Sequence, residues 1–185
     1  MGNVLNLPLT GDDHVQGPAY APLALVEYGD YQCPDSARAF GVVERLQLHF
    51  GDRLRFAFRH YPLVDIHPRA MPAALLAEAA ADARAFWGMH ALLFTHQDHI
   101  EDEDLARYAG QFGLPDTGGT RAHYERIERD VASGRESGVS GTPAFYISSA
   151  TSRPTPAALD LKGVLHEGGF DFDALGAALE KAVAG

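Results

Sequence analysis

Cysteine is almost missing from this chain of 185 residues, which holds one, Cys33. That excludes an intramolecular disulfide and any cysteine-rich zinc site. Lysine is scarce too, with only Lys162 and Lys181 among 15 basic residues, and alanine is abundant, a composition typical of a GC-rich bacterial genome. Against 25 acidic residues the net charge is −10, which argues against a nucleic-acid or anionic-membrane partner. No apolar run approaches the ~18 residues of a membrane helix. Met1 to Gly17 lacks the basic start and apolar core of a secretory signal. Asn6 stands where a myristoylation signal needs Ser or Thr. A cytoplasmic protein is therefore the expectation. There are no repeats, and the composition is that of an ordinary globular chain, long enough for one domain or for one domain with a sizeable insertion.

Leu23 to Tyr28 is a nearly continuous apolar run, the pattern of a strand buried on both faces. After the loop Gly29 to Gln32, Cys33-Pro34 opens a helix, because proline suits the first helical position. Phe40, Val43, Leu46 and Phe50 recur at helical spacing until Gly51. Leu54, Phe56 and Phe58 alternate with Arg55, Ala57 and Arg59, which predicts a second strand, parallel to the first. Pro68 to about Ser133 is helical throughout, with four helices predicted around Leu75, Phe86, Leu105 and Ile127. Strand period returns at Ala144 to Ser148 and again at Leu159 to Val164, beyond a polar connection Thr151 to Pro156. Asp171 or Asp173 caps a last helix, with Leu175, Ala178, Leu179 and Val183 inward. The expected architecture is an α/β sheet interrupted by helices.

Cys33 sits where a buried strand ends and a helix begins, the crevice at which open α/β sheets place ligands. Unpaired N–H groups and the helix dipole favour an anion there, so Cys33 is a candidate nucleophile. Asp35 opposes this by placing a carboxylate beside the sulfur. The segment Val26-Glu27-Tyr28-Gly29-Asp30-Tyr31-Gln32-Cys33-Pro34-Asp35-Ser36 resembles the active-site segment of the DsbA-like branch of the thioredoxin superfamily. Gly141-Thr142-Pro143 resembles that family's cis-proline loop, and weaker likenesses continue at Phe58 to Leu63 and Phe86 to His90.

The resemblance implies a thioredoxin-like fold over residues 1–65 and 138–185, with a helical insertion at 66–137. It also implies a thiol–disulfide oxidoreductase. Cys33 would be its nucleophile, Pro34 and Asp35 the rest of its motif, and Thr142 and Pro143 the substrate-binding edge. Glu27 would be a proton acceptor beneath the thiol; read from its strand alone, it is a carboxylate facing solvent or paired with an arginine. Ser36 takes the place of the family's second, resolving cysteine, and a hydroxyl cannot resolve a mixed disulfide. The chemistry left is a monothiol cycle with a thiol or disulfide of a protein, or with glutathione as co-substrate, and no resident cofactor. The alternative is a redox-inactive member of the fold that binds a peptide or partner along the cis-proline groove. His90, His96 and His99 with Asp98 have some metal-ligand spacing but read as a solvated helix end, so no metal is expected. His60 and His67 flank a loop that can approach the site, and Trp87 reads as core.

Overall fold

The structure is a computed structural model that describes residues 5–114, 119–149, 164–166 and 170–184. Its first half runs β1 (His14–Gln16), β2 (Leu23–Gly29), α1 (Pro34–Phe50) and β3 (Leu54–His60). Four helices follow: α2 (Ala70–Asp82), α3 (Phe86–Thr95), α4 (Asp102–Gln111) and α5 (Arg121–Ser137). The second half closes with β4 (Ala144–Ser149), β5 (Val164–His166) and α6 (Phe172–Ala184). The sheet order is β1-β3-β2-β4-β5; β2 and β3 are parallel and the other pairs antiparallel.

The apolar run at 23–28 becomes the central strand, buried along its whole length. Alternation along it divides two cores. Leu23 and Leu25 join Phe56, Phe58, Phe145 and the buried face of α1, which is Ala39, Val43, Leu46 and Phe50. Leu76 of α2, Met89 of α3 and Leu105 of α4 lie in this same cluster, so the inserted helices share the core of the sheet. Ala24, Val26 and Tyr28 face the opposite side with Leu5, Leu9, Tyr61 and Tyr146. There Arg59 is fully buried, its Nε donating to Asp13 Oδ1 at 2.8 Å and its Nη1 to Leu7 O at 2.9 Å, which ties the N-terminal segment to the sheet.

Helix boundaries follow local chemistry. Pro34 begins α1, and Gly51 ends it at φ 52, in the left-handed region open to glycine. Glu101 and Asp104 form a reciprocal capping box on α4, Thr120 and His123 do the same on α5, and Asp171 caps α6 by accepting from Ala174 N at 2.9 Å. Two expectations change. β1 has no signal in the sequence, being three residues long with two of them polar. Val183 is exposed because α6 turns only Leu175 and Leu179 fully inward. The connection Thr151 to Pro156 and the predicted strand residues Leu159 and Leu161 lie outside the described residues.

Candidate active site

β2 ends at Gly29, and Asp30 organises the turn into α1. Its Oδ1 accepts from Gln32 N at 2.7 Å and its Oδ2 from Leu63 N at 2.9 Å, with His67 Nδ1 at 2.8 Å from the same oxygen. Its carbonyl accepts from Cys33 N at 3.1 Å. A second brace comes from beyond α3, where Gln97 Nε2 donates to Tyr31 O at 2.9 Å and to Cys33 O at 2.8 Å. Sequence reasoning missed both braces. An aspartate in a turn after glycine is a visible signal for the first; the second depends on a contact 64 residues away in the chain.

Cys33 is the residue preceding the first turn of α1, with extended backbone (φ −73, ψ 120) and no side-chain cap of its own. The residue is 6% exposed, and its thiol donates to Thr142 O at 3.2 Å. The Thr142–Pro143 peptide is cis. Thr142 and Pro143 line a cleft of about 260 Å³ with Asp35, Ser140, Ala144 and Phe170. Asp35 is ion-paired with Arg38, one helical turn on, so its charge is partly compensated. Ser36 lies fully buried under the first turn, its Oγ accepting from Asp30 N at 3.3 Å.

Glu27 departs from both sequence readings of a strand-end carboxylate, since it neither faces solvent nor pairs with an arginine. It is buried on the α1 side of the sheet, and its Oε1 has no hydrogen-bond partner. Burial alone pushes its carboxyl up from 4.5 to about 8. It lines a cavity of about 180 Å³ with Phe40, Val43, Phe56, Trp87 and His90. His90 is no part of a solvated helix end. It is buried with Nδ1 3.0 Å from Tyr31 Oη, and burial holds it well below the ordinary histidine range, hence neutral. Asp35, Thr142 and Pro143 thus line one cleft, the buried Cys33 thiol is bonded to Thr142 O beside it, Ser36 is buried in the first turn of α1, and Glu27 lines a separate cavity.

The fold is that of solved DsbA-like proteins. Wolbachia pipientis alpha-DsbA1 superposes with a TM-score of 0.76 at 20% identity, over 100% of this chain and 96% of that one. A periplasmic thioredoxin-like protein from Salmonella enterica serovar Typhimurium superposes with a TM-score of 0.71 at 20% identity, over 99% and 95%. The cytoplasmic expectation is corrected by this comparison. Structures of this fold include a periplasmic protein, and a short N-terminal segment without signal features does not report where such a domain works. In sequence, the chain is 40% identical over 188 aligned positions to the Na(+)/H(+) antiporter NhaA 1 of Salinispora arenicola. The match takes in 98% of this chain but 26% of that protein, so the chain spans about a quarter of the length of the curated relatives it matches. Antiport is thus a property of a much longer protein. The family model described as thioredoxin matches residues 9–162, and the chain belongs to that thioredoxin family.

Proposed function

We propose that this domain carries out thiol–disulfide exchange through Cys33 alone. The observation that supports this best is the placement of the Cys33 sulfur at the start of α1, 3.2 Å from Thr142 O and beside the cleft that Thr142 and Pro143 line. The Cys33 thiolate attacks one sulfur of a substrate disulfide, forming a Cys33–substrate mixed disulfide and expelling the other sulfur as a thiolate. An external thiolate then attacks the substrate sulfur of that bond, which releases Cys33 as thiolate and leaves the substrate in a new disulfide. Electrons therefore come from the external thiol, because Ser36 supplies none.

The first turn of α1 stabilises the anion, and the half-buried Thr142 backbone on the cleft wall suits an extended cysteine peptide or glutathione. Glu27, kept protonated to about pH 8, serves as a buried proton reservoir for the exchange. The periplasmic setting of the Salmonella protein supports placing this exchange outside the cytoplasm, where disulfides persist. The test is turnover of a glutathionylated peptide with excess reduced glutathione. The natural chain is expected to accelerate deglutathionylation and Cys33→Ala to fall to the uncatalysed rate. Equal rates for the two proteins would refute the assignment.

A further inference from the structure

A second cluster lies away from the cleft. His14 Nε2 is 2.7 Å and His60 Nε2 2.8 Å from the same atom, Glu78 Oε1. The three donor atoms all lie within 4.8 Å of one another. They come from three elements, β1, β3 and α2, and each is held: His60 and Glu78 are buried, and His14 stacks on Phe86 with ring centroids 3.4 Å apart. No spacing motif joins residues 64 and 18 positions from Glu78, which is why the sequence predicts no metal here.

We propose that His14, His60 and Glu78 form a site for a divalent transition metal, with zinc the best-fitting ion. Two imidazole nitrogens and one carboxylate oxygen are a donor set zinc takes, at about 2.0–2.2 Å from each, which puts neighbouring donors roughly 3.3 Å apart. The histidine–glutamate separations therefore need to widen by only about half an ångström to admit the ion. A fourth ligand position is open to water, because His14 also lines a cleft of about 450 Å³ that contains neither Cys33 nor Thr142. Arg126 is the competitor. Its Nε donates to Glu78 Oε1 at 3.0 Å, and its side chain forms part of the same cleft wall, so it can turn outward when a cation enters.

The experiment is calorimetric titration of zinc chloride into the full chain carrying Cys33→Ala, which removes the thiol as a rival ligand. One ion per chain is expected. His14→Ala should weaken binding by about hundredfold, and Arg126→Gln should tighten it by about tenfold by removing an opposing charge. Far-UV circular dichroism checks that each variant is folded, and Glu78→Gln replaces His14→Ala should the latter unfold. Binding that persists without His14 or Glu78 would put the ion elsewhere and overturn the proposal. So would binding by neither the parent nor Arg126→Gln, or by Arg126→Gln alone.

Discussion

Ser36→Cys is expected to close an intramolecular disulfide with Cys33 on mild oxidation and to give the chain dithiol turnover. The hydrogen bond from Ala37 N to Cys33 O, 3.1 Å, shows that the helical turn already includes Cys33. Residues three apart on such a turn have Cα atoms about 5–6 Å apart, inside the range of roughly 4.4–6.8 Å that a disulfide spans. The buried Ser36 hydroxyl accepts one hydrogen bond, from Asp30 N, and a thiol is a weaker acceptor. The stability cost is about 1 kcal/mol, small beside the gain of a resolving thiol. Thiol counting should fall from two to none after oxidation of the variant, and turnover on a dithiol substrate should rise at least about tenfold over the parent. Two free thiols persisting in the folded, oxidised variant would mean that the helix start does not hold the two side chains together.

The second large effect concerns Glu27. The unfolded carboxyl releases its proton near pH 4.5, whereas the folded one keeps it until about 8. Between those values the native state holds an extra proton, so stability falls as pH rises. Each pH unit in the window is worth about 1.4 kcal/mol, and the full effect is a few kcal/mol. Glu27→Gln removes the ionisation and should be more stable than the natural chain by about 2–4 kcal/mol at pH 8. The gap should shrink towards pH 5, only just above the 4.5 of the unfolded carboxyl, where little of the loss has yet accumulated. Urea unfolding at the two pH values reads this directly. A constant gap between the two proteins would show that the folded carboxyl titrates normally.

The parts of this molecule legible in its sequence are those encoded by neighbours in the chain. The apolar run at Leu23 to Tyr28, the Cys33-Pro34 helix start and the alternation at Leu54 to Phe58 each carry their own period or breaker, and each became the expected element. What escaped depends on partners far along the chain. β1 is specified by pairing His14 to Gln16 with Phe56 to Phe58. Gln97 looks like any polar residue after a helix until it reaches the Cys33 carbonyl. His90 sits six residues before His96 and shares its residue type, yet a neighbouring Tyr31 and burial make it a neutral core group. Glu27 shows the same limit from the other side. Its place in the strand was plain, but the closed, unpaired surroundings that raise its carboxyl come from α1 and α3.

The most direct test of the central claim is the rate at which Cys33 takes up oxidised glutathione in the folded chain and in the same chain unfolded in urea, followed by intact-mass spectrometry. A thiol placed for exchange at a helix start is expected to gain one glutathione per chain, at least about tenfold faster when folded. A folded chain that stays unmodified while the unfolded one reacts would contradict the account. Cys33 would then be an unreactive core thiol, and the Thr142–Pro143 cleft a binding groove without redox chemistry.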